Sequence, residues 1–382
     1  MKLGFVFDVR FIKYKDHYYS INLSKELWES RYLPLFDDIV VVGRYVEVNE
    51  NPEGKFVQSD FEHVTFKCIK DYPGAKRLLH LGEEESFIED AIRDCDAVIC
   101  RSWWGVKSCR KLHKNYMIEA IACAWDSYWN HGILGKFVAL PAFLSLKIAI
   151  KNAPYVLYVT KKFLQRRYPT NVKNAGISDV VLQENCTEEI LLNRLKKIKE
   201  TDRKVVIGTA AAVNVRYKGQ ENVIRALWLL KKKGISKFEY QMAGNGDTSY
   251  LSNIAKECGV EDQVVFLGPI PHSKIFDWYD SLDLYIQPSL MEGLPRSVVE
   301  AMSRGLPVIG TNSGGIPELI EEKYTYNRKG KMPKDISEIL SSLDITDLNR
   351  YAKRNYEFAK EFRSQKLAEQ RLQFMKQFAS SK

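Results

Sequence analysis

From Val205 to Thr311, short β-rich apolar runs alternate with segments whose apolar residues recur at helical spacing, and this alternation constrains the fold more than any other feature. The runs are Val205–Thr209, Phe238–Ala243, Val264–Leu267, Leu284–Gln287 and Pro307–Thr311. Between the first two, Val223, Leu227 and Leu230 mark one helix face. Strands alternating with helices predict βαβ units around a parallel sheet. Both faces of such a sheet are covered, so its strands read as continuous apolar runs. Ligands bind beyond the carboxyl ends of the strands, so chemistry is expected in the loops that follow them.

The first half repeats the rhythm less cleanly, with candidate strands at Leu3–Asp8, Ile39–Val42, Val64–Ile69, Ala97–Arg101, Ile118–Cys123, Tyr155–Thr160 and Val180–Leu182. The polar segment Glu184–Lys204 reads as a helix plus a linker. A chain of 382 residues exceeds what one core usually organises. The expected division is a Rossmann-like domain over 1–185, a second over 203–345, and C-terminal helices over 346–382. That tail carries an apolar stripe of Tyr356, Phe362, Leu367, Leu372, Met375 and Phe378, which needs a partner surface.

Seven scattered cysteines, Cys186 among them, contain no CxxC pair, which argues against a disulfide framework or a cysteine zinc site. No secretory leader pattern opens the sequence, so a cytoplasmic setting is expected. Phe137–Ile150 is apolar but too short to span a bilayer. It reads either as a buried helix, which is favoured, or as one lying in a membrane interface. The net charge of +9 fits phosphate-bearing substrates, an anionic membrane surface or nucleic acid. No zinc-finger or RNP-like segment supports the last, and no nucleic-acid partner is expected.

The segment richest in chemistry is Glu292-Gly-Leu-Pro-Arg-Ser-Val-Val-Glu300, after the run Leu284–Gln287 and at the start of a helix. Pro295 suits the first helical turn, where its missing N–H is no loss. Amides around Gly293 and Leu294 would face a ligand, and a helix N-terminus beside a glycine is a natural diphosphate site. Carboxylates at Glu292 and Glu300 accept hydrogen bonds from sugar hydroxyls. Read in isolation the two glutamates are solvated helix residues, but their neighbours argue otherwise. Lys218-Gly219 follows the first run, with Arg216 before it, and a lysine there can hold a diphosphate as leaving-group charge develops. Gly244 and Gly246 follow the second run, and Gly268-Pro-Ile270-Pro follows the third, with backbone placed for a nucleobase. Gly314-Gly315 precedes another helix start, with Pro317 and Glu318 in its first turn.

These pieces, in this order, resemble the family-4 retaining glycosyltransferases of the GT-B fold (glycosyltransferases group 1 type). The resemblance rests on Lys218-Gly219, Gly244-Asn-Gly246, Phe266-Leu-Gly268, Asp283-Leu-Tyr-Ile-Gln-Pro-Ser289, Glu292 through Glu300-Ala-Met302, and Gly305-Leu-Pro-Val through Gly314-Gly-Ile-Pro-Glu318. It implies an α/β architecture of two Rossmann-like doubly wound domains facing a central cleft, with a C-terminal helix crossing back to the first domain. It implies a co-substrate, a UDP-sugar or GDP-sugar, and no other cofactor. Glu292 would contact the donor sugar, Gly293, Leu294 and Pro295 the sugar or phosphates, Glu300 the ribose and Lys218 the diphosphate. Gly244, Gly268 and Ile270 would line the nucleotide. The family's arginine about six residues before the lysine is absent, since Ala212-Val213 stands there, and Arg216 is the candidate substitute. A His-Asp-like pair of the acceptor half finds its nearest equivalent in Trp125-Asp126, with His131 nearby; Asp126 reads equally as a helix N-cap.

The implied reaction retains anomeric configuration and needs no metal, because Arg216, Lys218 and the helix N-terminus stabilise the leaving diphosphate. Asp94-Cys-Asp96 spells a DxD but sits where aspartates commonly end a helix-to-strand turn. The acceptor is expected to be a glycan or lipid-linked glycan in surface polysaccharide or glycoconjugate synthesis. Arg10 through Tyr19, basic and aromatic, could stack on sugars or hold a phosphate. Lys161, Lys162, Arg166, Arg167 and Tyr168 read as a solvated basic face or as a peripheral contact with anionic lipid at the inner face of the cytoplasmic membrane. Two other readings stay open: a nucleotide-sugar-binding subunit without transfer activity, and another GT-B enzyme such as a nucleotide-sugar epimerase.

Overall fold

Runs of valine, isoleucine and tyrosine favour extended backbone, and in this computed structural model they form two separate sheets. Residues 1–72, 80–129, 132–182, 187–200 and 203–381 are described; His131 and Cys186 lie outside them. One compact unit comprises Met1–Ile177 with Ala368–Lys382, the other Ser178–Leu367.

The first unit holds β1 (Lys2–Tyr14), β2 (His17–Ser20), β3 (Asp38–Glu47), β4 (Val57–Gln58), β5 (Val64–Lys70), β6 (Ala97–Cys100), β7 (Asn115–Ala120), β8 (Tyr155–Tyr158) and β9 (Lys173–Gly176). Its parallel core runs β5-β3-β1-β6-β7-β8-β9, with the antiparallel β2 and β4 added to the far end of β1. Strand β1 pairs with β6 through Leu3–Val6 and with β2 through Ile12–Tyr14, so one long strand serves two neighbours. Val40, Val42, Val98, Ile118 and Val156 are buried in one cluster between sheet and helices; each such side chain contributes about 1.5–3 kcal/mol on burial.

Three expectations here need correction. The strand expected at Ile118–Cys123 is Asn115–Ala120, because Tyr116 and Met117 add to its apolar run while Cys123 precedes the helix Ala124–Trp129. Val180–Leu182 forms only a single bridge, Leu182 to Arg363, and β9 at Lys173–Gly176 takes the sheet edge, where polar side chains are tolerated. The apolar segment Phe137–Ile150 does form a helix, Gly132–Lys151, but it is not buried: Phe137 is 75% exposed and Ile148 59%.

The second unit holds β10 (Val205–Ala210), β11 (Phe238–Ala243), β12 (Val264–Gly268), β13 (Leu284–Gln287), β14 (Val308–Thr311) and β15 (Thr325–Tyr326). All are parallel, in the order β12-β11-β10-β13-β14-β15. The order reverses between β10 and β13, and in open parallel sheets ligands bind beyond the carboxyl edge at such a switch point. Val223, Leu227 and Leu230 are fully buried on the helix Gln220–Lys232, the face read from their spacing. The helix Glu188–Ile198 is fastened to this unit by Arg194, whose guanidinium donates to the carbonyls of Tyr279 and Arg304 at 2.9 and 3.2 Å.

The tail divides its attachments. The helix Ile345–Ala359 packs in the second unit, where Tyr351 Oη donates to the Val308 carbonyl at 2.9 Å. The next helix, Ser364–Ala379, starts in the second unit and ends in the first, where Phe374 and Phe378 pack edge-on to Tyr155. Arg371 of that helix meets the buried Glu119 of β7 at 2.7 Å, and Arg101 meets the same carboxylate at 2.6 Å.

Candidate active site

The loops that follow β10, β11, β12, β13 and β14 lie against one another along the carboxyl edge of the second sheet. Glycines make this approach possible. Gly219 has φ +75°, and a Cβ there would overlap the Pro288 carbonyl of the loop after β13. Gly314, φ +56°, would likewise overlap the Glu292 carbonyl, and Gly315 N–H donates to the Gly293 carbonyl at 2.6 Å. On the other side, Gly244 N–H donates to the Gly268 carbonyl at 2.8 Å, and Val213 N–H to that of Asn245 at 3.0 Å.

Glu292 and Lys218 meet in this loop cluster. Lys218 Nζ donates to Glu292 Oε1 at 2.8 Å, and both side chains are largely but not fully buried. Gln287, the last residue of β13, donates to the same oxygen at 3.0 Å and to Ser289 Oγ at 2.8 Å. Gln287 Oε1 accepts from Tyr285 Oη at 3.0 Å and from Ser297 Oγ at 3.2 Å. Glu292 is therefore held from below by a buried polar chain, which orients its carboxylate.

Glu300 sits on the helix Arg296–Ser303 and is buried. Tyr279 Oη donates to Glu300 Oε2 at 3.0 Å, and His272 Nε2 lies 4.0 Å from Oε1. Burial pushes the Tyr279 phenol well above its usual value, and the neighbouring Tyr285 and Glu300 add to the effect. Tyr279 therefore stays protonated and donates to the carboxylate. The Tyr279 and Tyr285 rings touch edge-on at 5.8 Å, which joins the supports of the two glutamates.

Other expected residues take different places. Pro295 is the residue before the helix, not within its first turn, and Gly293 and Leu294 precede it, half-buried. Gly268 ends β12 with φ +69°, and Ile270 follows, half-buried. Arg216 is exposed, with its guanidinium 4.3 Å above the Tyr250 ring, while Lys218 reaches Glu292 from the same turn. Asp126 belongs to the first unit, where it is buried in the first turn of Ala124–Trp129, not at its N-cap. In the DxD tripeptide, Asp96 Oδ2 accepts the Lys2 N–H at 2.6 Å and so fixes the start of β1. Among the described residues, no three His, Cys, Asp or Glu side chains gather as metal ligands.

Gln287 stood in the matched stretch Asp283–Ser289 without an assigned role, and Tyr279 was not singled out from the sequence. Gln287 left a signal, a polar residue closing the run Leu-Tyr-Ile-Gln, whereas Tyr279 reads as an ordinary helix-face aromatic.

Residues 193–355 match the profile of glycosyl transferases group 1. The chain is similar to Protein CapJ of Staphylococcus aureus, 34% identical over 360 residues that cover 92% of this chain and 87% of that one. It is 39% identical over 115 residues, 28% of each chain, to the amylovoran biosynthesis glycosyltransferase AmsK of Erwinia amylovora. The solved structure of HepE from Anabaena in complex with UDP superposes with a TM-score of 0.68 at 15% identity, covering 99% of this chain and 100% of that one. This likeness shows a shared fold, the two-sheet GT-B architecture.

Proposed function

This chain belongs to the glycosyl transferases group 1 family, and from that premise we propose that it moves a hexose from a nucleoside-diphosphate sugar to a hydroxyl of a glycan or lipid-linked glycan, in surface polysaccharide synthesis. The observation that carries the reading is the meeting of Lys218 with Glu292 in one cluster of strand-end loops, with Glu300 buried on the helix that follows the Glu292 loop. The second unit would be the donor side, and the first, with Asp126, the acceptor side. The UDP bound by the HepE neighbour favours a UDP-sugar over a GDP-sugar. The amylovoran role in the name of AmsK supports a polysaccharide acceptor.

In this reading the Glu300 carboxylate accepts from the ribose hydroxyls, and Ile270 and Gly268 border the base. Lys218 turns from Glu292 to the diphosphate, joined by amides near Gly293 and Leu294 and by Arg216 once it leaves Tyr250. The acceptor oxygen bonds to the anomeric carbon as the bond from that carbon to the diphosphate oxygen breaks. The electron pair leaves with the nucleoside diphosphate, which also takes the acceptor's hydroxyl proton, and attack on the face of departure retains configuration. Lysine and backbone amides supply the positive charge that the leaving group needs, so the route is metal-independent. Glu292, freed of its lysine, contacts the donor sugar hydroxyls.

A thermal-shift screen of the whole chain against nucleotide-sugars tests this, since a ligand that binds the native state raises the melting temperature. One donor should give a shift that Glu300→Ala loses, and the same donor should support transfer that Glu292→Ala abolishes. Stabilisation by no nucleotide-sugar would overturn the proposal.

A further inference from the structure

The helix Gly132–Lys151 is built inside out. Its buried face carries Gly135, Ala139, Ala142, Leu146 and Ala149, mostly small residues. Its bulky side chains Ile133, Phe137, Leu140, Leu144 and Ile148 are all exposed. Steps of four and three residues place these five on a single stripe along the helix. A continuous exposed apolar strip marks an interaction surface rather than chance. Trp129, just ahead of this helix, is exposed as well.

Charge says what covers the stripe. From Ser127 to Ser178 the chain has six lysines, two arginines and no acidic residue, against a net charge of +9 for the whole protein. Lys136, Lys147 and Lys151 stand on the exposed side of the helix, among the apolar residues. Lys136 Nζ lies 5.6 Å from the Trp129 ring centre and Lys147 Nζ 5.9 Å from that of Phe143, so their stems lie along apolar surface while their heads are wet. Lys161, Lys162 and Arg166, later in the same segment, are exposed too. A second copy of this face would bring lysines against lysines. A bilayer with anionic headgroups offers opposite charge at the rim and hydrocarbon beneath. No helix among the described residues is long and apolar enough to cross a membrane, so this one lies in the surface plane, as amphipathic helices with basic flanks do.

We infer that Gly132–Lys151 beds Ile133, Phe137, Leu140, Leu144 and Ile148 into an anionic lipid surface, with Lys136, Lys147 and Lys151 reaching its headgroups. The inference needs no donor or acceptor and stands apart from the proposed reaction.

Flotation of the full chain with vesicles tests it, using phosphatidylcholine alone and phosphatidylcholine mixed with phosphatidylglycerol. The protein should float with the mixed vesicles, little with the neutral ones, and less as salt rises. The double variant Phe137→Glu and Leu144→Glu should lose at least about tenfold in vesicle partitioning, with its melting temperature unchanged because both positions are exposed. Lys136→Gln, Lys147→Gln and Lys151→Gln together should abolish the preference for anionic vesicles, and this triple variant carries the test by itself if the glutamate variant melts early. Failure of the native chain to float with mixed vesicles overturns the inference, as does flotation of a folded glutamate variant equal to native. A native dimer in vesicle-free buffer that the glutamate variant turns into monomers would also overturn it, by assigning the stripe to a second copy.

Discussion

Lys218 Nζ and Glu292 Oε1 are 2.8 Å apart, joining the loop after β10 to the loop after β13 across the point where the strand order reverses. Each group satisfies the other, so the pair keeps a cation and a carboxylate in a largely buried place without leaving either unmatched. Lys218→Ala should lower kcat/KM by about a hundred- to a thousandfold, the usual cost of removing a group that stabilises developing charge. Stability should change by only about 1 kcal/mol, since water still reaches the pair. Steady-state transfer rates and melting curves check the two halves separately; a large melting shift with intact kcat would make the lysine structural.

Tyr279 is fully buried and donates to Glu300 Oε2 at 3.0 Å, so in the proposed reaction it would be a positioning residue. Tyr279→Phe keeps the ring and removes one hydrogen bond to a carboxylate, worth about 1.5–3 kcal/mol. Donor KM should rise by roughly tenfold or more while kcat changes little. Equal falls in kcat and kcat/KM with unchanged donor KM would remove Tyr279 from this role.

Gly314→Ala tests the coupling of two loops. The residue sits at φ +56°, and an added Cβ meets the Glu292 carbonyl. The variant pays on the order of 1 kcal/mol for the left-handed backbone alone, and the loop carrying Glu292 must also move. Loss of the nucleotide-sugar thermal shift in a still-folded variant is expected. An unaltered shift would show that the two loops do not hold each other.

The first unit contains an acid-sensitive clasp. Burial by itself would raise the Glu119 carboxyl, but Arg101 and Arg371 outweigh it and hold the group at about 2, below its ordinary 4.5. A depressed carboxyl contributes stability that is present above its unfolded value and is lost as pH falls through the folded one. That contribution, on the order of 3 kcal/mol, should fade between pH 4.5 and 2. Urea melts across that range should show it. Glu119→Gln should flatten the slope and cost about 3–5 kcal/mol at neutral pH, because two arginines are left buried beside a neutral group.

Much of the second unit was legible because its requirements are local. Gly219 and Gly314-Gly315 follow or lead into regular elements at fixed offsets, and close backbone approach needs glycine at such points. Lys218, Glu292 and Glu300 could be picked out as chemistry, but their partners could not. Gln287 and Tyr279 are polar atoms on otherwise apolar elements, and only three-dimensional packing decides which buried hydroxyl or amide meets which carboxylate. Arg216 shows the reverse: a basic residue in the right loop stacks on Tyr250, a ring brought near by the loop and helix after the neighbouring strand.

Alternating apolar runs, read as sequence, determined the parallel sheet of the second unit, the parallel core of the first and the edge on which the glycine loops gather, since strand and helix periods are properties of neighbouring residues. Which face of Gly132–Lys151 turns inward, which strand closes the first sheet, and which arginines clasp Glu119 were decided only by tertiary structure. Those outcomes depend on the volume and charge that distant segments bring to the same place, and no local pattern encodes that.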